Sequence, residues 1–470
     1  MTKTSAINRI HELLDDNSFV EVGAYITARS TDYNMQSQET PADGVVTGYG
    51  TINGALVYVY SQDASVMGGS IGEMHAKKIE KLYSMAMKMG APIVALVDCA
   101  GFRLQESMDA LDGFGKLYVC QAMASGVIPQ IQAVFGNCGG EMADFTFMEQ
   151  EAKMFVNAPF VIAENDADNS SAEYQAKETG NVCATGSEKE IFTEIRNLVS
   201  ILPANNEDDM SYSECEDDLN RICTDIENCA GDTSIALSMI SDDSFYMEMK
   251  KDYAPEMVTA FIRLNGATVG CVANRSEVYT DGEKTATYDA ALTAAGCEKA
   301  AAFVNFCNAF EIPVLTLVNV DGYKNCKCNE KKIAKAAARL TYAFANADVP
   351  KVTVVVGKAN GTAGLTMNSK SIGSDIVYAW KNAKIGVMEA APAVKIMYAD
   401  EIAKADNAAA LINEKAAQYN EMQASALAAA KRGYVDDIIE ASETRQRVVA
   451  AFEMLFTKRE DRPSKKHGTI

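Results

Sequence analysis

The sequence predicts an α/β protein made of two tandem copies of one unit, and three observations carry that expectation. The first is a repeat: Ala91-Pro92-Ile93-Val94-Ala95-Leu96-Val97-Asp98-Cys99-Ala100-Gly101-Phe102 returns as Ile312-Pro313-Val314-Leu315-Thr316-Leu317-Val318-Asn319-Val320-Asp321-Gly322-Tyr323. The second is register. Ile128 to Gly136 recurs as Val349 to Gly357 at the offset that separates Pro92 from Pro313, and the same offset carries Gly140 onto Gly361. Apolar runs held in phase with the glycines that follow them are what an internal duplication leaves, whereas unrelated buried strands drift. The third is alternation of short apolar runs with helical periods, the pattern of parallel strands joined by crossover helices.

Each element follows from local signals. Gly44 to Gly50 and Leu56 to Tyr60 flank Asn53-Gly54, a hairpin turn pair. From Met74 to Met89, Ile79, Leu82, Tyr83, Ala86 and Met89 recur at three- and four-residue spacing, and Gly90 with Pro92 ends that helix. A buried strand from Ile93 to Val97, a glycine turn, a helix near Leu117 to Ala124 and a second buried strand ending at Gly136 complete the first unit, placed at residues 1–204. Residues 205–232, opening on Asn205-Asn206-Glu207-Asp208-Asp209, are acidic and without apolar period, and are expected to form a solvated linker. The second unit, 233–470, repeats the hairpin around Asn265-Gly266. It adds a helix from Glu298 to Phe310 with Phe303, Phe306, Cys307 and Phe310 on one face, then an alanine-rich helix from Ile333 to Ala347.

Composition excludes several classes. No apolar run approaches the roughly 18 residues that span a bilayer, and Ile7 to Leu14 is polar and helix-like rather than the core of a signal peptide, so residence in the cytoplasm is expected. A formal charge of −21 repels a phosphate backbone, which argues against nucleic acid. Twelve scattered cysteines fit small buried hydrophobes rather than disulfides. Cys326-Lys327-Cys328 has no second pair or histidine at metal-ligand spacing, and no metal site is expected. Ala86-Met87-Lys88-Met89 matches the signature of a biotinylated lysine, yet it lies in a helical period rather than at a hairpin tip, so Lys88 reads as a helix lysine. Three histidines without a serine or cysteine partner in a nucleophile-elbow pattern leave a hydrolase triad unsupported.

What remains is a set of glycine turns at strand ends: Cys99-Ala100-Gly101, Asn137-Cys138-Gly139-Gly140, Asp321-Gly322 and Asn360-Gly361-Thr362-Ala363-Gly364. Such turns set backbone N–H groups, unpaired, toward bound negative charge. This is the material of an oxyanion hole, where losing one donor costs about 3–4 kcal/mol of transition-state stabilisation.

Four stretches then identify a family. Gly68-Gly69-Ser70-Ile71-Gly72-Glu73-Met74-His75-Ala76, Asp98-Cys99-Ala100-Gly101-Phe102-Arg103-Leu104-Gln105-Glu106, Ala124 to Gln130 and Gly433-Tyr434-Val435-Asp436-Asp437-Ile438-Ile439 resemble the carboxyltransferase subunits of biotin-dependent acyl-CoA carboxylases, of the propionyl-CoA carboxylase beta type. The alpha subunits of sodium-pumping methylmalonyl-CoA and glutaconyl-CoA decarboxylases are equally similar. The resemblance runs end to end, closing on Arg462-Pro463 and Lys466-His467, and implies two tandem crotonase-like (ClpP/crotonase) domains.

It also implies coenzyme A thioester on the first unit and carboxybiotin, brought by a separate carrier protein, on the second. A carboxyl group moves between biotin and the carbon alpha to the thioester through an enolate, with the biotin ureido nitrogen as base. The catalytic positions carried over are Ala100 and Gly101 for one hole and Thr362 and Ala363 for the other. Substrate-binding positions are Gly68, Gly69, Ser70, Gly139, Gly140, Gly322, Gly361 and Leu365, the last set beside the second hole where acyl selectivity is expected. Implied partners are a biotin carboxyl carrier protein with biotin carboxylase, or a membrane decarboxylase subunit, and further copies of the chain in a dimer or hexamer.

The chain departs from the family pattern at Cys99-Ala100-Gly101-Phe102-Arg103, at Lys358 to Ala363, at Asp321-Gly322-Tyr323, where the family carries Pro-Gly-Phe, and in a shortened turn after Gly140. These departures motivate the alternative of a catalytically silent structural subunit paired with an active homologue. A hydratase or hydrolase using Glu141 is a third reading.

Overall fold

In the computed structural model, which describes residues 5–29, 35–138, 152–156, 171–208, 212–280, 282–460 and 462–463, the repeated apolar runs become the central strands of two sheets. The chain divides into two units, Met1–Ser211 and Tyr212–Ile470.

Among the described residues, the first unit's sheet runs in the order β1 (Val20–Glu21), β2 (Val45–Ile52), β3 (Ala55–Gln62), β4 (Ile93–Cys99), β5 (Gln130–Cys138), β6 (Ala152–Val156) and β7 (Ala184–Gly186). β2 and β3 form the expected antiparallel hairpin, and β3 to β7 are parallel. Helices α1 (Glu73–Met89) and α2 (Ser107–Ala124) carry the two central crossovers. α1 buries Ile79, Leu82, Tyr83 and Ala86 and stops at Gly90, whose left-handed φ of 60° caps it. Met89, assigned to that face from spacing, is 61 % exposed, because the stripe drifts off the core in the last turn. α2 begins ten residues earlier than the apolar period announces, since Gly113 and Gly115 dilute the pattern; Gly113 is nonetheless buried facing Ala76 on α1. Lys88 lies exposed within α1, so its methionine-flanked motif is helical.

The second unit's strands are β8 (Met247–Glu248), β9 (Met257–Leu264), β10 (Ala267–Asn274), the ribbon β11 (Glu277–Thr280) with β12 (Glu283–Thr287), β13 (Ala291–Leu292), β14 (Val314–Val320), β15 (Gly322–Tyr323), β16 (Lys351–Asn360), β17 (Ile376–Trp380), β18 (Lys384–Gly386) and β19 (Asp437–Ile439). Its main sheet has the order β8-β9-β10-β14-β16-β17-β19, the arrangement of the first unit over again. Helices α3 (Ala294–Ala309) and α4 (Ile333–Asn346) make the crossovers. Phe303, Cys307 and Phe310 are buried, and Phe303 meets Phe261 of β9 with ring centroids 5.0 Å apart.

The likeness extends to single hydrogen bonds. Tyr58 N donates to Pro92 O at 2.9 Å and Ile93 N to Pro129 O at 3.0 Å; in the second unit Gly270 N donates to Pro313 O and Val314 N to Pro350 O, each at 2.9 Å. Both sheets also break register at the same place. β4 and β5 pair Val97 with Val134 but next Cys99 with Cys138; β14 and β16 pair Val318 with Val355 but next Val320 with Ala359. The bulge makes room for one polar side chain. Asp98 lies against Gly136, and Asn319 against Gly357, so closely that a Cβ on either glycine would collide with the side-chain oxygen. A bulge of this kind re-aims the chain beyond it. Here the strand ends that it redirects are the two candidate turns.

The acidic segment differs from the expected linker. Asn205 and Asn206 are tied to the first unit, with Asn205 Nδ2 donating to Gly90 O at 2.8 Å. From Tyr212 onward the chain is built into the second unit: Ser213 N donates to Gly266 O at 2.9 Å, and Cys223 and Ile226 enter the core. One of its carboxylates is neutralised within the second unit, where Asp217 pairs with Arg221 at 2.9 Å and with the buried Arg445 at 3.4 Å. Among the described residues, no helix is long and apolar enough to cross a membrane.

Candidate active site

In the first unit, β4 runs into Ala100-Gly101-Phe102, and this turn interlocks with Gly68-Gly69-Ser70. Ile71 N donates to Gly101 O at 2.9 Å, Arg103 N to Ile71 O at 2.8 Å, and Ala100 N to Gly68 O at 3.1 Å. Gly69, at φ 68°, passes the Asp98 carbonyl so tightly that no side chain fits between them. Arg103 fastens the pair from below. Its guanidinium, wholly buried, donates to Ser70 O at 2.9 Å, to Asp43 Oδ1 at 2.6 Å and to Glu106 Oε1 at 2.7 Å. Asp43 also accepts from His75 N at 2.7 Å, and Glu106 from Glu73 N at 2.6 Å.

Burial dominates the titration of this cluster. It pushes the Asp43 carboxyl up against the opposing pull of Arg103, and holds the His75 imidazole neutral, well below its ordinary value, with Arg103 adding to the effect. Lys78, donating to Ala42 O and Val45 O, is lowered to about 8 by the same desolvation.

The amides expected to lie open here are engaged. Ala100 N–H is taken by Gly68 O, and Gly101 N–H is donated to the Cys99 thiol sulfur at 3.3 Å. Burial raises that thiol to about 12, so the sulfur stays protonated and is a weak acceptor. The Gly101 amide is therefore held by a bond that an anionic oxygen can displace, whereas the Ala100 amide is part of the scaffold. Gly139, Gly140 and Glu141 lie outside the described residues.

In the second unit, β16 ends at Asn360 and passes through Gly361, at φ 59°, into α5 (Gly361–Thr366). Thr362 and Ala363 stand in the first turn of α5, where backbone amides lack a carbonyl partner within the helix, and the Asn360 side chain does not cap them. The same turn lines a cavity of about 450 Å³ through Gly361, Gly364 and Leu365, with Tyr419, Arg432 and Tyr434 on other walls. Leu365 is 40 % exposed, an apolar side chain standing at a cavity edge.

Behind the turn lies a polar chain. Asp321 accepts from Asn360 Nδ2 at 2.8 Å and from Lys358 Nζ at 2.6 Å, and Lys358 reaches on to Glu389 at 2.7 Å. Partial burial opposes the Lys358 charge, but its bonds to Asp321 and Glu389 win and raise it above the ordinary lysine value. Gly322 sits apart from the cavity in β15, paired with β13, with open space where a Cβ would be. Tyr323 beside it reaches Thr366 at 3.4 Å between hydroxyls.

The structure thus gathers Gly68, Gly69, Ser70, Ala100 and Gly101 at one turn, and Gly361, Thr362, Ala363 and Leu365 at the other. Sequence reasoning missed Arg103 as the tie between turns, and the Asp321–Asn360–Lys358 chain. A signal existed for the second, since Asp321 directly follows β14 and Asn360 closes its neighbour β16. The Cys326 and Cys328 sulfurs lie 2.8 Å apart, and no cluster of three metal-ligating side chains occurs among the described residues.

With this geometry in place, comparison with known proteins gives one answer. The model of the carboxyl transferase domain matches residues 1–470. The chain is 39 % identical to methylmalonyl-CoA decarboxylase subunit alpha of Propionigenium modestum, over all of this chain and 93 % of that one. It is 38 % identical to the propionyl-CoA carboxylase beta chain of Roseobacter denitrificans, over all of this chain and 94 % of that one. The crystal structure of the transcarboxylase 12S hexamer, with methylmalonyl-coenzyme A and methylmalonic acid bound, superposes with a TM-score of 0.93 at 36 % identity, covering 99 % of this chain and 92 % of that one. The fold is therefore that of the transcarboxylase core, an α/β carboxyltransferase fold. The chain belongs to the carboxyl transferase domain family.

Proposed function

We propose that this chain is the carboxyltransferase component of a biotin-dependent acyl-CoA carboxylase or decarboxylase, moving a carboxyl group between carboxybiotin and the alpha carbon of a short acyl-CoA. The observation that carries the reading is the uncapped first turn of α5, at Thr362 and Ala363, beside a cavity of about 450 Å³ that Gly361, Gly364 and Leu365 line. Membership of the carboxyl transferase family supplies the chemistry. In this reading the first unit takes the coenzyme A thioester and the second the biotin ring.

Carboxybiotin, delivered by a carrier protein, supplies the carboxyl group, and its ureido nitrogen the base. The chain's own groups orient and stabilise. Once substrate is bound, the Gly101 amide donates to the thioester oxygen in place of the weakly accepting Cys99 sulfur, while Ala100 keeps its bond to Gly68 and fixes the turn. The Thr362 and Ala363 amides serve the oxygen of the second partner. Fixed N–H donors in a partly dry site act without reorganising at the moment of reaction, which is why such donors dominate catalysis of this kind. The fit is apt for a neutral, ring-shaped group, because the cavity beside the second turn has apolar walls at Val318, Val355 and Leu365 and a polar rim at Arg432 and Tyr434. Leu365, exposed at the edge of this cavity, is where the acyl end of the thioester would meet the biotin ring, and so is the residue expected to sort acyl chains.

Assembly into a hexamer, as stated for transcarboxylase 12S, a biotin carboxyl carrier protein and a cytoplasmic setting belong to the same reading. The test is to mix the protein with carboxylated biotin carrier and propionyl-CoA, or with methylmalonyl-CoA and free biotin, and to follow carboxyl transfer. Absence of transfer above background with several short acyl-CoAs counts against it.

A further inference from the structure

Asparagine is among the strongest helix N-cap residues, because its side-chain oxygen accepts a hydrogen bond from the amide two or three positions ahead. For Asn360 those positions are Thr362 and Ala363. Elsewhere in the chain the cap forms as expected: Asn407 Oδ1 accepts from Ala410 N at 3.0 Å, and Thr293 Oγ1 from Gly296 N at 2.9 Å. Asn360 makes no such bond. Its Nδ2 donates instead to Asp321 Oδ1 at 2.8 Å, and the other Asp321 oxygen is pinned by Lys358 Nζ at 2.6 Å. Asn360 is only 3 % exposed, so its amide group depends on protein partners rather than water.

We propose that Asp321 is a positioning residue that holds the Asn360 side chain away from its own turn and so keeps the Thr362 and Ala363 amides available to the reacting oxygen. This inference deepens the function proposed above and rests on it for its catalytic consequence. Without Asp321, the buried Asn360 amide group loses its acceptor and rotates. Its oxygen then falls within reach of the two turn amides, and the helix caps itself. The hole is closed by the residue beside it. Asp321 and Asn360 therefore act as a pair: each is an odd choice at the site without the other.

The experiment uses the full-length chain and reads two quantities. D321A is expected to lower kcat of carboxyl transfer by about fivefold to tenfold, the advantage of a good cap over none, with KM for the acyl-CoA little changed. Adding N360A to D321A removes the competing oxygen and restores kcat. D321N, which retains an acceptor for Asn360, loses less than D321A. Hydrogen exchange followed by mass spectrometry or NMR gives the second reading, with the Thr362 and Ala363 amides more protected in D321A than in the wild type and exposed again in D321A/N360A. A double variant as slow as D321A, or unchanged exchange at these amides in D321A, overturns the proposal. Because the exchange reading needs no turnover, a wild-type protein that transfers no carboxyl group defeats the proposed function while still deciding the role of Asp321.

Discussion

The turns after β4 and β16 occupy equivalent places in two sheets of one strand order, behind the same bulge, yet they present their backbone differently. In the first, Ala100 and Gly101 donate inside the protein, and a buried arginine with two carboxylates holds the turn rigid. In the second, the Asn360 side chain leaves the first-turn amides of Thr362 and Ala363 uncapped, and the charges behind them are about one-third exposed. Strand topology therefore places a turn but does not decide whether its amides are available. That is set by the nearest competing acceptor: a carbonyl and a thiol in one unit, and in the other an asparagine turned away.

Charge removal at the two turns should give the sharpest contrast. Arg103→Leu leaves Asp43 and Glu106 buried without a partner and should cost about 3–5 kcal/mol of unfolding free energy, whereas Lys358→Met, screened by solvent, should cost below about 1 kcal/mol. Urea unfolding followed by circular dichroism measures both, and equal costs would erase the contrast. Thr362→Pro deletes one uncapped donor in the first turn of α5, a position where proline is tolerated. It should lower kcat on the order of a hundredfold without a matching change in the melting curve.

Acid should distinguish the units next. The folded His75 ionises well below its ordinary value near 6.5 while the unfolded chain does not, so the unfolded state binds the extra proton. Stability of the first unit is then complete above about pH 6.5 and is lost progressively below it, and His75→Gln should flatten that loss. Trp380, the chain's one tryptophan, lies in the second unit, so its fluorescence should not follow the first unit's acid transition if the two melt separately. The smallest effect is expected from Cys99→Ala, which removes the weak acceptor of Gly101 N–H and should raise kcat by about twofold to threefold. A fall in kcat would mean that the sulfur positions the turn rather than occupying it.

Much of this was legible in the sequence because burial and period are local. The repeat from Pro92 to Gly101 and from Pro313 to Gly322 announced two like sheets, and Asn53-Gly54 and Asn265-Gly266 announced their hairpins. The match of Gly68 to Ala76 and Asp98 to Glu106 announced the family. What escaped depends on contacts between distant residues. α2 was read short because glycines inside it look like breakers until Ala76 is known to face Gly113. The segment after Tyr212 looked solvated because Arg445, which pairs with its Asp217, lies more than two hundred residues away. The state of each turn amide was illegible for the same reason, since Gly68 O and Asp321 are acceptors supplied by other loops.

The cysteines bear on how this chain can be handled at the bench. All twelve are free, and burial is the leading force raising the thiols of Cys99, Cys271, Cys297 and Cys307, whereas the half-exposed Cys326 is lowered by its hydrogen bond with Cys328. A brief, mild alkylation should therefore mark one corner of the second unit first. A fluorophore or spin label introduced there would report on that corner of the second unit while the buried thiols go untouched.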